Sequence, residues 1–228
     1  MALYAIGDLH LSFSEKVDKP MDIFGDRWEN HAEQIRKNWR ADENDVTVIA
    51  GDISWAIDFD QLGPDFRFID SLPGKKIILK GNHDYWWTTL KKMNAFAAQF
   101  GTISFLHNNS YRVGNITVCG TRGWIAEPGE EQDKKVLARE VGRLRASLQS
   151  APEDAEKIVF LHYPPLCTNA RCDEILSVLS EFHIKRCFYG HLHGRAIHAA
   201  VNGERDGLSL QLISADYLGF VPIKISEN

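Results

Sequence analysis

The segment Ala2-Leu3-Tyr4-Ala5-Ile6-Gly7-Asp8-Leu9-His10 reads as a short apolar strand that runs, through a glycine, into a carboxylate and an imidazole. Four later segments repeat this layout: Gly51-Asp52 after 46–50, Gly81-Asn82-His83-Asp84 after 76–79, His162 after 158–161, and Gly190-His191-Leu192-His193 after 186–189. Side chains in extended backbone alternate faces, so the reading expects Asp8 and His10 to point the same way, and likewise His191 and His193. A glycine before four of the clusters permits a sharp turn or a close backbone approach where a side chain would intrude. In an open α/β sheet the carboxyl ends of strands are where ligand sites collect, so five such ends imply one shared site.

Between these strands the apolar periodicity predicts helices over 28–39, 61–71, 88–100, 132–149 and 173–181. The fourth is highly charged, with Val136, Leu137, Val141, Leu144 and Leu148 on one stripe, as expected of a solvated amphipathic helix. Segments 103–121 and 196–225 read as β-rich, with a turn expected at Val113-Gly114-Asn115 and a hairpin at Asn202-Gly203. Strands alternating with helices, then hairpins, predict an α/β (mixed α+β) fold of mixed sheets covered by helices. There is no repeat or low-complexity segment, and residues 1–228 are expected to form a single domain.

Composition narrows the class. The 228 residues are 44% hydrophobic and 25% charged, ordinary for a globular chain. A net charge of -5 weighs against a nucleic-acid-coating surface, although bound metal ions would escape such a count. Cys119, Cys167, Cys172 and Cys187 form no C-x-x-C pair and read as free thiols in a reducing compartment. The N-terminus lacks a basic, apolar signal pattern and no uncharged run reaches spanning length, so the expectation is a cytoplasmic protein without a membrane association.

Carboxylate, imidazole and amide oxygen, with no thiolate beside them, suit manganese, iron, zinc or nickel rather than a closed structural zinc site. The seven candidate ligands Asp8, His10, Asp52, Asn82, His162, His191 and His193 are too many for one tetrahedral ion, and they suit two ions sharing a carboxylate. Two divalent ions carry four positive charges, of which Asp8 and Asp52 offset two. The surplus suits a phosphate ester and a metal-bound hydroxide.

The ordered set Asp-x-His, Gly-Asp, Gly-Asn-His-Asp, His and Gly-His-x-His, spanning positions 8–193, resembles the calcineurin-like metallophosphoesterase superfamily. A lone Gly-Asp carries no weight; the full ordered set is specific. The resemblance implies two mixed β-sheets packed as a sandwich and flanked by helices, a four-layer αββα fold. It implies a phosphoesterase with two divalent or trivalent metal ions, manganese being the one expected to support activity. By the same resemblance Asp8, His10, Asp52 and His193 hold one ion, Asp52 bridges, and Asn82, His162 and His191 complete the second. His83 would serve as general acid or charge stabiliser, and Asp84 would either orient it or support its turn. The implied reaction is attack of a metal-bound hydroxide on a phosphomonoester or phosphodiester.

His31, His107, His183 and His198 lie outside the motifs and read as surface or core residues. Trp55, Trp86, Trp87 and Trp124 read first as packing, with pocket stacking on a flat leaving group as the alternative; Arg122 reads as a phosphate contact or a surface salt bridge. Protein phosphatases of this superfamily have Asp-Arg-Gly after the second motif. Gly51-Asp52-Ile53-Ser54-Trp55 departs from that, which marks protein substrates down. Nucleases bring extra DNA-binding elements for which no basic stripe is seen. A binding scaffold that has lost the chemistry would lack the imidazole that His83 provides. The expected partner is therefore a small phosphodiester or nucleotide substrate.

Overall fold

The computed structural model describes residues 1–125 and 131–227. Its strands are β1 (Ala2–Ile6), β2 (Val46–Ala50), β3 (Lys75–Leu79), β4 (Ile103–Phe105), β5 (Tyr111–Val113), β6 (Ile116–Thr121), β7 (Glu156–Leu161), β8 (Leu166–Cys167), β9 (Ala170–Arg171), β10 (Arg186–Tyr189), β11 (Gly203–Arg205), β12 (Leu208–Leu212) and β13 (Ile223–Glu227). The helices are α1 (His31–Asn38), α2 (Phe59–Ser71), α3 (Leu90–Ala97), α4 (Glu131–Gln149) and α5 (Asp173–Glu181).

One sheet runs β13-β1-β2-β3-β4, parallel except for β13, and the other runs β11-β12-β10-β7-β6-β5, in which β12, β10, β7 and β6 are parallel. Both faces of the central strands are apolar, as buried parallel strands require. In β2, Val46, Val48 and Ala50 face the other sheet, while Ile49 faces the helices; in β7, Ile158 and Phe160 face inward and Val159 and Leu161 outward. Three apolar layers result. Ile35, Phe66, Ile69 and Met93 of α1–α3 cover the first sheet, and Leu144, Leu148, Ile175 and Leu179 of α4 and α5 cover the second. The layering is the expected αββα, and burial of each large side chain contributes about 1.5–3 kcal/mol.

Side-chain caps set two helix starts: Asp58 accepts from the Gln61 N–H, and Thr89 from the Lys92 N–H. The expected helix over 28–39 is shorter, because Asp26–Trp28 forms a 3-10 turn and Asn30, at φ 51°, separates it from α1. The second hairpin turns at Asp206-Gly207, both at positive φ, rather than at Asn202-Gly203, and Arg205 pairs with Leu208 across it. Asp-Gly suits a two-residue hairpin, whereas Gly203 is already in the strand. The β-rich segment 103–121 is divided: β4 extends the first sheet, while β5 and β6 form a hairpin in the second.

Candidate metal centre

The parallel strands β1, β2, β3, β7 and β10 all end on the same edge of the sandwich, and each delivers one of the five motifs there. The local geometry is not the alternation expected from extended backbone. Asp8 (φ 55°), His10 (φ 46°), Asp52 (φ 49°) and His191 (φ 71°) are all left-handed, although none is glycine. Such residues cost roughly 1–2 kcal/mol each. They persist where surrounding hydrogen bonds over-determine them. Asp8 and His10 donate their N–H groups to the carbonyls of Gly51 and Asp52, and the His191 N–H donates to the Asp8 carboxylate at 3.0 Å. The two sheets thus lock each other's loops.

All seven candidate ligands come together. Donor atoms of Asp8, Asp52 and His162 lie within 4.8 Å of one another. Asp52 Oδ2 is 3.8 Å from His10 Nε2 on one side and 3.5 Å from His162 Nε2 on the other. Asn82 Oδ1 lies 2.7 Å from His162 Nε2 and 2.9 Å from His191 Nδ1, and the His193 ring is centred 5.2 Å from that of His10. Asp52 therefore sits between a His10/His193 side and an Asn82/His162/His191 side. His10 Nε2 is buried and has no hydrogen-bond partner among the described residues. An orphaned buried imidazole nitrogen facing a carboxylate fits a metal ion, because nothing else satisfies it.

Electrostatics agree with a cation-seeking site. Burial holds His10 and His191 down at about 3, so both imidazoles are neutral at pH 7, the form that can bind a metal ion. Burial and the neighbouring Asp52 raise Asp8 well above the usual carboxylate range. For Asp52 burial also pushes upward, but His162, His10 and the His83 N–H together outweigh it and the group lies below its usual value. Packed carboxylates that disfavour one another's charge are relieved by a cation between them.

Glycine is required at three of the motifs: at Gly51, with φ 83°, a Cβ would lie 2.6 Å from His162 Nδ1. A Cβ on Gly81 would overlap the Asp52 backbone nitrogen and Oδ1, and one on Gly190 would lie 2.5 Å from Asp8 Oδ2. Each glycine lets one strand end press against a ligand of another.

His83 is half-buried, and its backbone N–H donates to Asp52 Oδ1 at 2.8 Å, which ties it to the shared carboxylate. Its ring packs on Trp55 at 4.5 Å, and its Nδ1 lies 3.4 Å from the Tyr85 hydroxyl. Asp84 does not touch that ring in any hydrogen bond. Its Oδ2 accepts from the Gly81 and Asp52 N–H groups at 2.6 and 3.0 Å. Its Oδ1 accepts from Ile53 at 2.9 Å, Ser54 at 3.4 Å and Trp86 Nε1 at 3.2 Å. Of the two roles open to Asp84, its bonds are those of loop support. Burial and the Asp52 charge raise it to about 7, against the pull of these donors.

The aromatics divide. Trp86 is buried and bonded to Asp84, so it packs. Trp55 stacks on His10 at 5.0 Å and 22°, walling the His10/His193 side. Trp124 packs on Tyr163, whose ring lies 4.2 Å from that of His191. Arg122 is not a surface salt bridge: it is 15% exposed, pairs with buried Glu140, and its carbonyl accepts the N–H groups of His162 and Tyr163. Sequence reasoning missed Tyr163, Ser214 and Asp216. The buried Ser214 is bridged to Gly7, the residue before Asp8, and Asp216 accepts the Gly194 N–H at 2.7 Å. No local signal marks Ser214 and Asp216, which reach the site only through the β12–β13 connection, whereas Tyr163 directly follows His162 at the end of β7.

The family model for calcineurin-like phosphoesterases matches residues 1–195. Among solved structures, the phosphopantetheinyl hydrolase from Mycobacterium tuberculosis is 14% identical, with a TM-score of 0.62 over 100% of this chain and 96% of that one. A Thermus thermophilus protein, TT1561, is also 14% identical, with a TM-score of 0.53 over 91% and 86%. At this identity both likenesses are of fold. No curated protein is similar enough to count as a match. Among the described residues, no helix is long and apolar enough to cross a membrane.

Proposed function

The chain belongs to the calcineurin-like phosphoesterase family and is a metal-dependent phosphoesterase, and from that premise we propose a two-metal centre that hydrolyses small phosphodiesters or nucleotides. Asp8, His10, Asp52 and His193 hold one ion, and Asn82, His162 and His191 hold the other with Asp52 shared. Manganese is the ion proposed to support activity. When bound, the pair supplies Lewis acidity toward water and the phosphoryl oxygens.

The protein's own groups do the rest. The left-handed backbone at Asp8, His10, Asp52 and His191 presents the donors without further reorganisation. His83, neutral at pH 7 because burial lowers its pKa, can donate a hydrogen bond from its ring N–H to a phosphoryl or leaving-group oxygen and so stabilise the charge there without giving up the proton. Tyr85 sets the orientation of that ring through its hydroxyl. Trp55 and Tyr163 shield the imidazoles of the two sides from water. The four cysteines are free and buried, which supports a reducing, cytoplasmic setting.

The observation that carries this reading is the placement of Asp52 between two donor groups, beside a buried His10 Nε2 that nothing satisfies. The test is metal content and activity together. Chelator-stripped protein reloaded with manganese should bind two ions per chain and hydrolyse aryl phosphodiesters or phosphomonoesters, and Asp52→Asn should lose both. One ion per chain, or full activity in Asp52→Asn, rules the two-metal centre out.

A further inference from the structure

Beside the metal centre lies a second cavity, of about 380 Å³, whose lining includes Lys80, Trp87, His107, Arg122, Glu140 and Arg143. Among the described lining residues three fixed cations face a single carboxylate, a surplus of two positive charges. Glu140 is 1% exposed and fully committed: it accepts from Thr121 Oγ1 at 2.6 Å, Arg122 at 3.1 Å and Arg143 at 2.6 Å. That arrangement holds the two guanidinium groups in place. Lys80 has no carboxylate within ion-pairing distance among the described residues. A cation cluster that one buried acid leaves uncompensated is costly for folding alone. It is what a site for a multiply charged anion requires.

The cavity is also fastened to the catalytic loops. Lys80 directly precedes Gly81-Asn82, and the Arg122 carbonyl accepts the backbone N–H groups of His162 at 3.0 Å and Tyr163 at 2.8 Å. Lys80 is thus two residues from Asn82, and Arg122 is hydrogen-bonded through its backbone to His162, both on the same side of the centre.

We propose that Lys80, Arg122 and Arg143 form an anion subsite that selects phosphate esters carrying a second anionic group, a phosphate or a carboxylate, away from the scissile phosphate. This rests on the phosphoesterase reading above. Arg122 and Arg143, fixed by Glu140, supply the directed donors, and Lys80 supplies the unpaired charge nearest the metal ligands.

The test compares p-nitrophenyl alkyl phosphodiesters of graded chain length that end in a phosphate, a carboxylate or an uncharged amide, assayed on the manganese-loaded enzyme. At the best chain length the anion-ended esters should exceed the amide-ended ones in kcat/KM by about tenfold or more, as a charge-assisted pair implies. The phosphate and carboxylate arms show which anion is preferred. Arg143→Gln should bring the ratio toward one, Arg143→Lys should restore part of it, and added salt should shrink it in the wild type. An amide-ended ester cleaved as well as its anionic counterparts at every length overturns the subsite while leaving the phosphoesterase intact. So does an Arg143→Gln protein, folded by circular dichroism, that keeps the full ratio. If no ester is cleaved, the proposed function fails by itself, and calorimetric titration with inorganic pyrophosphate decides the subsite. Binding weakened about tenfold in Arg143→Gln supports it, and unchanged or absent binding in the wild type overturns it.

Discussion

Asp84→Asn swaps a carboxylate for an isosteric amide at a position with five N–H donors. Gly81 and Asp52 address one oxygen, and Ile53, Ser54 and Trp86 address the other. Whichever way the amide is turned, its NH₂ meets two or three donors with nothing to accept them. A buried donor left unpaired costs about 1–3 kcal/mol, so the substitution should lower stability by about 2–5 kcal/mol, a large part of a typical total of about 5–15. Asp84→Ala should cost about the same or more, because it removes every acceptor and leaves a cavity. Since three of the donors belong to residues 52–54, the loop carrying Asp52 should loosen and manganese affinity should fall in both variants. The assay is urea unfolding in chelator at pH 8, where the wild-type side chain, raised to about 7, is ionised, together with calorimetric manganese titration. Two physical effects oppose one another here. If burial of the charge outweighs its five donors, Asp84→Asn will be as stable as the wild type or more so, and the loop-support role is refuted. A stable, metal-tight Asp84→Asn with lost turnover would instead return Asp84 to the role of orienting His83.

His83→Asn should keep the full metal content and lower kcat by about 10²–10⁴, read on an ester with a poor leaving group. Tyr85→Phe should change it far less, because its hydroxyl contacts the ring at only 3.4 Å. Gly190→Ala should cost about 1–3 kcal/mol by thermal melting and weaken manganese binding, since its Cβ would crowd Asp8 Oδ2. His10 and His191 should make the metal-free protein acid-sensitive. Their folded values of about 3 lie below an unfolded value near 6.5, so their contribution is present above about pH 6.5 and is lost as pH falls toward 3. A shift of about 3.5 units corresponds to roughly 5 kcal/mol per imidazole at most, and Asp8, shifted the other way, offsets part of it. Urea unfolding of chelated protein between pH 7 and 4 should show a shallower acid loss in His10→Gln than in the wild type; equal slopes would show that His10 is not held neutral by the fold.

Five apolar runs, each ending in Asp, Asn or His, were enough to name seven candidate ligands that the fold brings together, because strand ends are local and glycine marks where backbones must approach. Mixed sheets covered by helices were legible because apolar runs alternate with amphipathic helices, whereas the four-layer stacking of two sheets followed only from the family resemblance of the ordered motifs. Other features depended on residues distant in sequence. The left-handed backbone at Asp8, His10, Asp52 and His191 is held by N–H groups and carbonyls from other strands, so no window around any of them encodes it. The division of 103–121 between two sheets follows from which edge each strand meets, and a period of two cannot report that. Asp84 beside His83 suggested an imidazole partner, yet hydrogen bonds follow distance in space, and its five donors come from residues 52–54, 81 and 86. Lys80, Arg122 and Arg143 look like scattered surface charges along the chain. Packing of α4 against β6 gathers Arg122 and Arg143 around Glu140, because a buried carboxylate must be paired, and the apposition of the two sheets brings Lys80, just after β3, to the same cavity.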